Sequence, residues 1–298
     1  MNRRDFLRTV AGSTAAAALF PLLERSRAFA GADRANVAGR FALILDGSHA
    51  GYLQSYEGGA TKADDIVVRC GAGMSKGMYD RMKAAFDQNP MRKTGAIVAA
   101  EFNYKEQSRR EFTNALITEV SFPTLDGASK DPAYMTVKFE PETTRQLPAS
   151  ASAAPLPLPS AKQKKWLCSN FRLAIGGLDC SKINKIDAFT IKQGIKQTMQ
   201  TQVRTATKEP TKLDYPNLTF SVPASASDSF SNWHEDFVTQ RNNGPANRKN
   251  GSLIYLDSDM KTELFTLTFK GLGISNVSPN VAMPMEQVSF SYGRAALG

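Results

Sequence analysis

Arg92-Lys-Thr-Gly-Ala-Ile-Val98 and Arg248-Lys-Asn-Gly-Ser-Leu-Ile254 are two versions of one local pattern: three of seven positions are identical and the rest are close substitutions. In each, a basic pair and a glycine make a turn, and the apolar run that follows starts a strand. One such match can be chance. Its weight comes from the other matches, which fall in the same order on both sides of it.

Upstream, Phe41-Ala-Leu-Ile-Leu-Asp-Gly47 matches Phe171-Arg-Leu-Ala-Ile-Gly-Gly177 at an offset of 130. Both alternate apolar residues (Phe41, Leu43, Leu45; Phe171, Leu173, Ile175) and end in a glycine turn, so each predicts a strand entering a hairpin. Return strands are expected at the same offset, Leu53 and Tyr56 matching Ile183 and Ile186. A helix follows in each half. Tyr79, Met82 and Phe86 share one helical face, as do Phe230, Trp233 and Phe237. Ser227 or Asp228 is placed to cap the second helix. The spans expected are about 76–88 and 227–241.

Downstream, Ile117-Thr-Glu-Val-Ser121 matches Ile274-Ser-Asn-Val-Ser278. Both halves end on alternating apolar residues, Met135, Val137 and Phe139 in one, Val288, Phe290 and Tyr292 in the other. The order strand, hairpin, helix, strand pair, final strand thus occurs twice, which predicts a tandem duplication of a mainly β unit. The halves differ in one place. The second carries a long stretch, Ala188 to Val222, where the first has only Gly58 to Arg69.

Residues 143–165 are rich in Ala, Pro and Ser and lack periodicity, which reads as a linker. The expected organisation is a leader at 1–30, a first domain at 38–142, the linker at 143–165 and a second domain at 166–298.

On these residues the chain resembles the tail-tube protein family of contractile phage tails and injection systems. The clearest matches are KLDYPNLTF (Lys212–Phe220), RKNGSLIYLDSD (Arg248–Asp259) and FKGLGISNV (Phe269–Val277). Glu111-Phe-Thr-Asn-Ala115 is similar to the family's strand before its final loop. The resemblance covers residues 38–142 and 166–295. Members are usually single-copy and lack a signal peptide, whereas this chain has two copies and a leader. The resemblance implies a mainly β (α+β) chain of two tandem β-barrel or sandwich domains, each with one flanking helix. It also implies hexameric rings that stack into a hollow tube, with a long β-hairpin lining the inside. Ala188–Val222 is the candidate hairpin. An unpaired strand edge is a template for a neighbour's edge, and a closed ring satisfies every edge.

Length and composition agree with a soluble chain of two ordinary domains: 298 residues, 42% apolar and 22% charged. The formal charge of +9 is spread without a block of five or more basic residues, so it does not point to nucleic acid. Asn2-Arg3-Arg4-Asp5-Phe6-Leu7, an uncharged stretch from Thr9 to Leu23 and the small-x-small site Ala28-Phe29-Ala30 have the order of a Tat-like signal peptide. Residues 1–30 carry five positive and two negative charges, so cleavage leaves about +6. The expected location is periplasmic or extracellular; if the signal is not used, it is cytoplasmic or in a virion-like particle.

Motifs that carry chemistry are few. The two histidines, His49 and His234, have no Cys or acidic cluster at metal-ligand spacing. There is no G-x-S-x-G string. Cys70-Gly-Ala-Gly-Met-Ser-Lys-Gly77 fails the P-loop spacing and reads as a turn and helix start. Adjacent carboxylates at Asp64 and Asp65 point to opposite faces of a strand, so a solvated turn is the reading. Lys162, Lys164 and Lys165 read as a solvated end of the linker. Cys70, Cys168 and Cys180 make an odd count. Cys168 and Cys180 can pair in an oxidising compartment, but they flank a predicted strand, so small buried side chains are expected. No catalytic, cofactor or metal site is therefore assigned, and the chain is read as no enzyme.

The expected partners are copies of itself, six chains favoured over three, with sheath, baseplate or cargo proteins in addition. No specific nucleic-acid or small-molecule partner is evident. Two other classes stay open: an exported non-catalytic binding or adaptor module on the same fold, and a secreted hydrolase with an unrecognised site.

Overall fold

The computed structural model describes residues 40–61, 63–149, 155–158, 166–199 and 206–293. The expected leader and the Lys162–Lys165 cluster lie outside them. Everything described below belongs to the compact unit Val37–Gly298.

The chain is mainly β. Strand β1 (Arg40–Leu45) turns at Asp46-Gly47 into β2 (Ser48–Leu53), and β3 (Ser55–Gly58) follows. After β4 (Ile66–Cys70) comes helix α1 (Lys76–Phe86), then the long pair β5 (Lys93–Ala100) and β6 (Glu106–Phe122). A two-residue strand β7 (Leu125–Asp126), then β8 (Met135–Glu140) and β9 (Thr143–Pro148), complete the first half. The main sheet runs β2-β1-β5-β6-β8-β4-β3, with β9 also on β6. Its two edges, β2 and β3, are joined by the single residue Gln54, so the sheet must roll until they are neighbours. No ladder joins β2 to β3: among the described residues the sheet is a roll that stays open, not the closed barrel of the expectation.

The second half has β10 (Phe171–Ile175), β11 (Lys185–Ile186), the hairpin β12 (Phe189–Met199) and β13 (Ala206–Asp214), and β14 (Leu218–Ser221). Helix α2 (Asp228–His234) runs on through one wider π turn to Thr239. Then come β15 (Lys249–Leu256), β16 (Glu263–Leu272), β17 (Val281–Met283) and β18 (Gln287–Tyr292). One sheet runs β10-β15-β16-β18 and another β17-β14-β11-β7. Just past β16, the Gly273 and Ser275 amides bond the carbonyls of Pro284 and Ala282, linking the two sheets. The second path is therefore β10-β15-β16-β17-β14-β11, the same order as β1-β5-β6-β8-β4-β3.

Register agrees as well as order. Leu45 faces Gly95 and Gly95 faces Phe112; Ile175 faces Gly251 and Gly251 faces Phe269. A Cβ on Gly95 would sit 2.4 Å from the Ile44 carbonyl, and one on Gly251 2.8 Å from that of Ala174. Residues 44 and 174 are 130 apart, the offset seen in the sequence. Close approach of the next strand thus explains the glycine in both versions of the opening motif.

Two features differ from the sequence reading. Phe112 faces Thr144 of β9, as Phe269 faces Val288 of β18. On β6, β9, which lies within the expected linker, thus holds the register place that β18 holds on β16, and the short β17 takes the place of β8 in the order. Thr143–Pro148, at the start of the expected linker, is a strand along β6, with Thr113 Oγ1 and Thr143 Oγ1 2.6 Å apart and Arg145 paired to Glu111 at 2.9 Å. Secondly, the halves share strands: β12 pairs β6 and β11 pairs β7.

Helix α1 also serves both halves. Arg81, 2% exposed, donates to the Ala115 carbonyl at 2.5 Å and lies over the Phe139 ring, while burial pushes its guanidinium down to about 10. The apolar stripe of α1 packs on β18: Tyr79 stacks on Phe290 and Tyr292, and Phe86 stacks on Phe290. By contrast, Phe230 of α2 meets Phe220 within its own half.

Candidate assembly surface

The hairpin β12–β13 is the part the second half has and the first lacks. Its root is held by apolar contact and pairing. Phe189 stacks on Phe122 with centroids 5.2 Å apart, Ile191 is buried, and Thr190 Oγ1 lies 2.8 Å from Ser121 Oγ. Pairing with β6 runs from Phe189↔Phe122 to Lys192↔Glu119 and stops there. Beyond Lys192, β12 pairs with β13 alone, and among the described residues β13 pairs with nothing else.

A bulge falls between Gln193 and Ile195. At that point the Gln193 Nε2 donates to the Thr211 carbonyl at 2.7 Å, and a Cβ on Gly194 would strike Thr211 Oγ1. A bulge adds twist and turns the outer hairpin away from the parent sheet. Opposite charges face each other across the ladder, Lys192↔Asp214 and Lys196↔Glu209, which favours this register over its slips. On the inner side Lys208 is buried. Its Nζ lies 2.9 Å from Glu140 and donates to the Pro141 carbonyl at 3.2 Å, tying the hairpin to the first half. The hairpin is therefore anchored at its root and along one side. Its outer edge carries Pro210, with no N–H to give, and the exposed charges Glu209 and Lys212.

The residues with chemical potential are spread out. His49 is half-buried on β2, its ring 4.9 Å from that of Tyr52; desolvation lowers its pKa from the ordinary 6.5. His234 ends α2. The glycine-rich stretch ends β4 and enters α1, with the Ser75 amide on the Ala50 carbonyl. In it Cys70 is fully buried, which pushes its thiol up to about 12. Cys168 and Cys180 are half-buried free thiols, both raised mainly by burial. Asp64 accepts from the Ala60 amide at 3.2 Å, while Asp65 pairs with Lys138 at 2.9 Å. Among the described residues no group of three His, Cys, Asp or Glu side chains is placed to hold a metal ion. Nor is any helix among them long and apolar enough to cross a membrane.

Two contacts were not foreseen from sequence. The Tyr292 hydroxyl donates to Asp80, which also pairs with Lys76 at 2.6 Å; hydrogen bonds from Lys76 and Tyr292 hold that carboxyl below its usual range. The second is the Lys208–Glu140 pair. Both join residues far apart in the chain, and no local spacing announces them.

Comparison with known proteins finds no family model and no curated relative that matches this chain.

Proposed function

We propose that this chain is an exported structural subunit, without catalysis, built from two diverged copies of a tail-tube-like fold, and that it assembles with its own kind into a ring or tube. The observation that carries the reading is the hairpin β12–β13, which runs past β6 and, among the described residues, leaves its outer edge unpaired. The common order and register of β1-β5-β6-β8-β4-β3 and its counterpart support the duplication. An unpaired edge in a heterologous contact closes only when the rotation between copies closes. Because only the second copy has the hairpin, a wall of six equal hairpins takes six chains. Sheath, baseplate or cargo proteins are the further partners this reading implies.

Negative-stain microscopy of the mature chain, residues 31–298, tests it. Rings or tubes of uniform diameter are expected. Single particles of one chain at all concentrations would overturn the reading.

A further inference from the structure

A cleft of about 620 Å³ opens on the side of the first half, where the second half begins. Its walls come from four separate segments: the end of β2 with Tyr52, the turn Gly71–Gly73, the loop from Lys130 to Tyr134, and Trp166 with Leu167. This is the size range of small-molecule sites. The walls are fixed from behind. The Tyr79 hydroxyl donates to the Ala72 carbonyl at 2.5 Å, the Ala133 amide bonds the Trp166 carbonyl at 2.8 Å, and the Cys168 amide bonds the Asp131 carbonyl at 3.0 Å. Trp166 packs edge-on against Tyr255 and Phe265, and the Arg69 guanidinium lies over the Tyr134 ring.

Two features give the cleft a chemical preference. Tyr52 and Tyr134, both half-buried, supply aromatic surface, which favours a flat ring, while Trp166, 2% exposed, closes the cleft from behind. At the rim, Lys130 makes no ion pair among the described residues and is exposed, so its ammonium is available to an anion. Asp131, next to it, is engaged by the Ser129 hydroxyl at 3.2 Å.

We propose that this cleft binds a small planar aromatic carboxylate, its ring against Tyr52 and Tyr134 and its anionic group on Lys130. The inference does not depend on ring assembly, since the cleft and the hairpin share no residue.

Calorimetric titration of the mature chain with 2-naphthoate and with uncharged 2-naphthamide tests it. Saturable binding of both is expected, tighter for the carboxylate. Lys130→Ala, a change at an exposed position, is expected to weaken 2-naphthoate about tenfold and leave 2-naphthamide nearly unchanged. A side chain on Gly71 meets open space in the cleft, so Gly71→Leu is expected to abolish both titrations while the thermal melt stays cooperative. Absence of saturable binding at millimolar probe, equal loss of both probes in Lys130→Ala, or full binding by folded Gly71→Leu overturns the proposal.

Discussion

Tyr79 of α1 stacks on Tyr292 of β18, ring centroids 5.1 Å apart and planes 23° from parallel, so a helix of the first half is completed by the last strand of the second. Tyr79 has no exposed surface, and its hydroxyl is spent on the Ala72 carbonyl. Tyr79→Ala is expected to cost about 3–5 kcal/mol, the usual range for a buried aromatic truncated to Ala. Because the ring bridges the halves, urea unfolding is expected to stay a single transition, with intrinsic fluorescence and circular dichroism coinciding. A double-mutant cycle with Tyr292→Ala is expected to return about 0.5–1.5 kcal/mol of coupling. A coupling near zero would mean that this stack does not join the halves.

The strand order and register common to the two halves were legible because the strongest signals are short and steric. Gly95 and Gly251 are fixed by a neighbouring carbonyl, and Leu43, Leu45, Leu173 and Ile175 by burial on one face, so sequence carries them directly. Helix positions were legible for the same reason: Tyr79, Met82 and Phe86 mark a face that must be covered. What covers it was not legible. A 3.6-residue period says that a partner exists, and Tyr292 is not local. The last strands misled for a related reason. Met135, Val137 and Phe139 resemble Val288, Phe290 and Tyr292 in apolar alternation, but that alternation reports burial rather than position in the sheet. The register counterpart of β18 is Thr143–Pro148, an edge strand too polar to stand out beside a proline-rich segment.

Burial raises the Cys70 thiol to about 12, against an ordinary value of 9.0. Between those limits the folded chain keeps the proton while the unfolded chain loses it, so the unfolded state binds fewer protons. Stability from this group is therefore complete below pH 9 and falls as pH rises towards 12, by at most about 1.4 kcal/mol per pH unit. Urea midpoints of the intact chain and of Cys70→Ala, compared at pH 8.5 and 10.5, isolate the effect. The intact chain is expected to lose more. In addition, a thiol reagent at pH 8 is expected to titrate two cysteines in the folded chain and three in denaturant. Equal pH slopes for the two proteins would contradict the assignment.

The proposed export rests on the leader alone. Arg3 and Arg4 precede Phe6-Leu7, and Ala28-Phe29-Ala30 offers the cleavage site. Replacing both arginines by lysine keeps the charge but removes the twin-arginine signal. Uncleaved protein is then expected to accumulate in the cytoplasm, read by fractionation and by the mass of the product. An unchanged periplasmic yield would exclude the Tat route and leave a general secretory one.

Deletion of residues 195–211 separates folding from assembly. The deleted span includes the outer hairpin but spares Phe189, Ile191 and Leu213, the buried residues at its root. Each half keeps its sheet and helix, so the core is unaffected. One cost is specific: the deletion removes Lys208 and leaves Glu140 without its close cation. Because Glu140 sits in a strand with part of its side chain still reaching solvent, the loss is expected to stay within about 1–3 kcal/mol, and Glu140→Gln in the same background is expected to recover part of it. Ring closure, on the proposed assembly, depends on the edge that has gone. Light scattering is therefore expected to show a folded species of far fewer chains than the intact protein. If the shortened chain melts cooperatively and still forms a ring with as many chains, the hairpin does not build the wall, and the contact between copies lies elsewhere on the molecule.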